Sequence, residues 1–135
     1  MSAEFVLDAS AAIAWASPDE FPPAPLSRAI ESGVAVVPAL WLYEVHHVLH
    51  MLRRRGRISD GDYADCNGAI MALRVEVDPP ERRRIEAELP PLAQAFGLTV
   101  YDAAYLELAL HRRIPLATLD EALRKAAVKA KVKLI

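Results

Sequence analysis

The chain has one cysteine, Cys66. No intrachain disulfide can form, which favours a reducing compartment. Long apolar runs are also missing: none approaches the ~20 residues needed to span a bilayer. The apolar segment Ala9 to Ala16 ends in Ala14-Trp15-Ala16, like an export cleavage site. Asp8 interrupts it, however, and no Lys or Arg precedes it, so the positive region of a signal peptide is lacking. A cytoplasmic protein with no membrane association is expected. Nor does one sign of charge dominate, since 16 Lys and Arg face 18 Asp and Glu, for a formal net charge of −2. Any contact with phosphates would therefore rest on local basic patches. Repeats, low-complexity stretches and linkers are absent. What is present is 135 residues, 53% hydrophobic and 25% charged, a composition and length suited to one folded domain over residues 1–135.

Strand and helix signals alternate along it. Phe5-Val6-Leu7 is an apolar run without alternation, as in a strand buried on both faces. Asp8 follows at once, and a helix is expected from Ala9 to Trp15. Pro18, Pro22, Pro23 and Pro25 mark a turn-rich segment before a short helix over 26–32, which Gly33 ends. Val34 to Val37 reads as a second strand, and residues 39–55 as a long helix with Trp41, Val45, Val48, Leu49 and Leu52 at helical spacing. Ser59-Asp60-Gly61-Asp62 opens a further helix, carrying Tyr63, Cys66, Ile70 and Leu73 on its inner face. Val75 to Val77 is a short strand. Residues 81–97 look helical but contain Pro90 and Pro91, which predicts two helices or one sharply kinked. Leu98-Thr99-Val100 reads as a strand leading to Asp102 and a helix to about Arg113. Leu116-Ala117 is another strand, a helix follows from Leu119 to about Ala130, and Val132 to Ile135 suits an edge strand. The alternation implies an α/β fold, a parallel sheet with helices on both faces.

Open sheets of this kind bind ligands at the carboxyl ends of their strands. Asp8, Asp102 and Asp120 are all expected there. Each also has a plain structural explanation: Asp8 and Asp102 as N-caps, and Thr118 to Glu121 as a capping box with Asp120 in the first turn. Glu44 falls on or beside the buried stripe of its helix, where a carboxylate needs a partner. An arginine would serve, and so would a cation. Four converging carboxylates would repel one another, and all-oxygen ligation suits Mg²⁺ or Mn²⁺.

Four blocks then stand in order: Val6-Leu7-Asp8-Ala9-Ser10, Tyr43-Glu44-Val45, Thr99 to Leu106, and Leu116-Ala117-Thr118-Leu119-Asp120. Together they resemble PIN-domain proteins, and within them VapC-type toxins of toxin–antitoxin pairs. The resemblance covers nearly the whole chain. It implies a PIN-like fold with four to five strands and a Mg²⁺-dependent endoribonuclease site. The family's four acids map to Asp8, Glu44, Asp102 and Asp120 as catalytic metal ligands, and Ser10 and Thr118 map to hydrogen-bond partners of the carboxylates. RNA as substrate, a cognate antitoxin and a homodimer are implied with it, Trp41, Leu42 and the two helices over 39–55 and 59–73 offering apolar surface. In such a site one or two metal ions would activate water and stabilise the leaving oxygen.

Arg53, Arg54, Arg55 and Arg57, then Arg82 to Arg84, then Arg112 and Arg113 offer phosphate contacts, although cations also suit helix C-termini and solvated faces. His46, His47 and His50 lack the Glu of the zinc-protease pattern, so zinc is rejected. A receiver domain would want paired acids after its first strand, and a dehalogenase-type phosphatase a second Asp at Ser10. Neither fits. The remaining rival is a catalytically silent PIN-like module that only binds a partner.

Overall fold

In the computed structural model, residues 3–135 are described. Strand β1 (Glu4–Leu7) leads into α1 (Ala9–Ala16), followed by α2 (Ala24–Ser32), β2 (Val34–Pro38), α3 (Leu40–Arg54), α4 (Asp60–Met71) and β3 (Val75–Asp78). The second half holds α5 (Arg82–Phe96), α6 (Val100–Arg112), β4 (Leu116–Ala117) and α7 (Glu121–Lys129). The four strands form one sheet in the order β3-β2-β1-β4, every pairing parallel. Helices cover both faces, giving the expected α/β, PIN-like architecture. Because β1 is central, Phe5, Val6 and Leu7 are buried, which is why the run shows no polar alternation. In register Leu7 pairs with Ala117, and this sets the residues just beyond them side by side.

α1 packs against α3 and α4, while α6 packs against α5, α7 and the central strands. The stripe of α3 holds as expected: Trp41, Val45 and Leu49 are buried. Trp41 is therefore a core residue, which withdraws it from the apolar surface expected to serve a dimer. His46, His47 and His50 all lie on the exposed face of α3. Among the described residues no helix is long and apolar enough to cross a membrane.

Three expectations are corrected. First, of the two outcomes expected at Pro90 and Pro91, two helices or one sharply kinked, the two-helix one is ruled out, since α5 runs through both prolines. Each proline removes an N–H that would have bonded four residues back, to Glu86 and Ala87. These residues, like the prolines, are exposed, and water can satisfy the released carbonyls. Second, Leu98 to Val100 is not a strand. Gly97 ends α5 in the left-handed conformation (φ 63°), and Thr99 caps α6 by accepting the Asp102 N–H at 3.1 Å. Third, the chain end contributes one parallel bridge, Leu134 to Leu116, in place of an edge strand. Lys131 stands three residues before it in the left-handed conformation, φ 61°.

Candidate active site

Asp8 is the first residue past β1 and adopts an extended conformation that starts α1. It is 4% exposed, and its carboxylate is surrounded by donors. The Ala11 N–H reaches it at 2.9 Å and the Ser10 hydroxyl at 2.8 Å. The Thr118 hydroxyl also donates to it, from just past β4. The Asp8 N–H donates to the Ala117 carbonyl at 3.1 Å, extending the β1–β4 pairing by one step and bringing Thr118 opposite. Ser10 and Thr118 thus both bond the Asp8 carboxylate.

The two hydroxyls also tie down the approach to α7. Ser10 Oγ accepts the Leu119 N–H at 3.2 Å, and Thr118 Oγ1 accepts the Asp120 N–H at 3.0 Å. The capping box expected from Thr118 does not form, because its hydroxyl is turned to Asp8. Asp120 is the cap instead, accepting the Leu123 N–H at 2.8 Å. Asp102 is partly buried in the first turn of α6, so it reaches the carboxyl edge of the sheet from a helix, not a strand end. Glu44 lies in the second turn of α3, half-buried, and none of the ion pairs among the described residues involves it. The arginine partner allowed for Glu44 is not there.

A further acid ends a strand but belongs elsewhere. Asp78 closes β3, at the sheet's edge and two strands from β1, which is about 10 Å at ordinary strand spacing. Arg84 bonds it at 2.9 Å and Arg112 at 3.0 Å. Arg84 also holds Glu107 at 2.7 Å, and Arg112 holds Glu76 at 2.7 Å. This network stitches β3, α5 and α6 together, two guanidiniums facing three carboxylates. It also occupies two of the arginines considered for RNA. Arg53 instead lies over the Tyr63 ring, 3.9 Å from its centre. Its cluster ends α3, so at 1.5 Å per residue it stands roughly 15 Å along the axis from Glu44.

The PIN domain model matches residues 5–129. This chain belongs to the PIN-domain family. Among solved structures it is similar to PAE2754 from Pyrobaculum aerophilum, with a TM-score of 0.68 and 26% sequence identity over 98% of this chain and 83% of that one. No curated protein sequence matches it. PIN domains are generally nucleases, so this is a nuclease-type fold.

Electrostatics link the four acids of this PIN domain. Burial pushes the Asp8 carboxyl above its ordinary range, against its three hydrogen bonds, and the charge of Asp120 adds to the rise. Burial, then Asp102, then Asp8 push Glu44 up. Asp102 is raised by burial and then by Asp120. Each acid lies within the field of at least one other. They are neighbours in charge, not a closed cage: among the described residues no three His, Cys, Asp or Glu side chains stand close enough to hold one ion as they are. The donor set still fits a hard divalent cation, being all oxygen and short of positive charge.

One residue of this group is not apparent from the sequence. Tyr105 is buried one turn beyond Asp102, and its hydroxyl has no hydrogen-bond partner among the described residues. It lies near enough to Glu44 to draw that carboxyl's pKa down, though short of hydrogen-bond geometry. Its position in an apolar helix reads as core. The sole signal is its spacing of three from Asp102, which puts both on one helix face.

Proposed function

We propose that this PIN domain is a Mg²⁺-dependent endoribonuclease of the VapC type: a cytoplasmic, homodimeric toxin that a cognate antitoxin neutralises. The observation that carries the reading is the acid group itself. Asp8, Glu44, Asp102 and Asp120 sit in one another's fields at one sheet edge, and burial first and these like charges second raise three of their pKa values, with no arginine or lysine paired to them among the described residues. Like charges gathered without a counter-ion are unfavourable, and a divalent cation, Mg²⁺ or Mn²⁺, relieves that. Asp8, Asp102 and Asp120 would hold it directly or through water, and Glu44 would hold it or orient the attacking water.

When bound, the cation would supply an activated water and charge stabilisation on the leaving oxygen. The chain's own groups do the positioning. Ser10 and Thr118 fix the rotamer of Asp8, so its free lone pairs keep one direction. Glu44, on a helix and half open to solvent, can accept a proton from the water that attacks the phosphorus. Arg82 and Arg83 head α5 on the strand-end side of the sheet and are exposed, suited to flanking phosphates.

The spacing of the carboxylates favours one other reading, a silent PIN-like module that only binds a partner. An RNA cleavage assay on the chain freed of partner protein separates the two. Cutting should stop with EDTA, return with Mg²⁺, and be lost in a folded Asp102→Asn variant. Undiminished cutting in EDTA overturns the metal reading, and no cutting under any divalent cation supports the silent module.

A further inference from the structure

Two buried side-chain polar atoms lack a partner among the described residues, Trp41 Nε1 and the Tyr105 hydroxyl. The second lies in the acid group. A buried hydroxyl without a partner opposes folding, and phenylalanine would fill the same space without that penalty. Tyr105 is 1% exposed, and α6 packs its helix against β1 and β2, the strands that lead into Asp8 and toward Glu44. The Ala9 backbone lies near the hydroxyl without meeting bonding geometry, and the charges that bear on the phenol, after burial, are Glu44, Asp8 and Asp102. All three are acceptors when ionised, and a phenol beside them stays protonated. Asp8 already has three donors, from Ala11, Ser10 and Thr118. Glu44 has none: among the described residues no side-chain hydrogen bond to its carboxylate meets bonding geometry.

We propose that Tyr105 is a positioning residue for Glu44, its hydroxyl donating to one carboxylate oxygen so that the other is aimed at the divalent cation or its water. This rests on the nuclease reading above and assigns within it a role to a residue outside the four acids. A glutamate has three side-chain torsions, and a fixed donor on one oxygen removes much of that freedom. Donors that orient metal-binding groups in this way are worth about 10–100-fold in metal affinity or activity.

The test is titration calorimetry of Mn²⁺ into metal-free wild type, Tyr105→Phe, Glu44→Gln and the double variant, with thermal melts of each. Tyr105→Phe should melt at or above the wild-type midpoint yet bind Mn²⁺ about tenfold more weakly. In RNA cleavage its kcat should fall with KM little changed. In the Glu44→Gln background the tyrosine change should weaken binding no further, because the two act as a unit. Equal Mn²⁺ affinity in wild type and Tyr105→Phe overturns the proposal and leaves the nuclease reading standing, as does full additivity in the double variant. A clear drop in the metal-free midpoint of Tyr105→Phe would assign the hydroxyl to the fold and also overturn it. If the wild type itself binds no Mn²⁺, the metal-site reading falls and this proposal with it.

Discussion

Replacing Asp8 with asparagine separates the two things that its carboxylate does. As a cap, asparagine serves about as well as aspartate, so the bond to the Ala11 N–H at 2.9 Å should survive. The Ser10 and Thr118 hydroxyls lose a charged acceptor, a loss of about 1.5–3 kcal/mol before compensation. In return, a buried carboxylate whose pKa is pushed up mainly by desolvation is replaced by a neutral group. The effects oppose each other and should leave the metal-free protein within about 1 kcal/mol of wild type. Unfolding entropy of about 2.1 cal/mol/K per residue makes that a shift of about 3.5 °C for a chain of this length. Metal binding sets a larger scale: a ligand at 100 times its Kd stabilises by about 2.7 kcal/mol, or about 9 °C here. Thermal melts followed by circular dichroism, with and without Mg²⁺ at that saturation, should show the full rise for wild type and under about 2 °C for Asp8→Asn, in proportion to lost binding. An equal rise in both proteins would refute the assignment of Asp8 to a metal.

Asp8, Glu44 and Asp102 have folded-state pKa values raised above their ordinary ones. Such groups contribute stability below their unfolded pKa and lose it as pH rises through the folded value. From these three acids, the metal-free protein should therefore lose stability between about pH 4 and neutrality, and Mg²⁺ should reverse the loss; a midpoint that climbs over this range no more for Asp8→Asn than for wild type would contradict the sign. Arg84→Ala leaves the 9%-exposed Glu107 side chain without its cation, which should destabilise by about 3–5 kcal/mol, seen in urea denaturation; a loss under about 1 kcal/mol would mark the network as dispensable. The chain should sediment as a dimer at micromolar concentration, using exposed Leu42, Tyr43 and Met71 in place of the buried Trp41, and a monomer would sink that expectation. Co-purified with the product of a neighbouring reading frame, it should be inactive until an arginine of that partner is replaced, since a guanidinium suits a carboxylate group; persistent inhibition after every partner arginine is changed would remove that mechanism.

Much of this arrangement is legible in the residues themselves. Phe5-Val6-Leu7 announces a central strand because burial on both faces erases alternation, and Asp8 follows from its position. Glu44 stands out because three- and four-residue spacing puts it next to Trp41 and Val48. Asp102 is expected at the right edge, but for the wrong reason. Leu98-Thr99-Val100 has strand-forming residues, yet Thr99-x-x-Asp102 is also a helix-start signature, and the capping bond prevails. Proline spacing leaves a break or a single helix open at α5, because the outcome depends on whether the freed carbonyls face water, which sequence does not state. The Arg84 network joins residues 6 and 23 positions apart, and Arg112 reaches back 34 to Asp78. Such pairings follow from tertiary packing alone. Tyr105 is hidden for a related reason: its role depends on what its hydroxyl fails to touch.

The most direct test of the central claim is the chemistry of the newly cut RNA ends. If carboxylates at this edge serve a water nucleophile, each cut should leave a monophosphate on one end and a free hydroxyl on the other. Cleavage in ¹⁸O-labelled water should place one labelled oxygen in that phosphate, in the presence of Mg²⁺ and not of EDTA. A 2′,3′-cyclic phosphate as the first product would mean attack by the RNA's own 2′-hydroxyl, and would contradict the account.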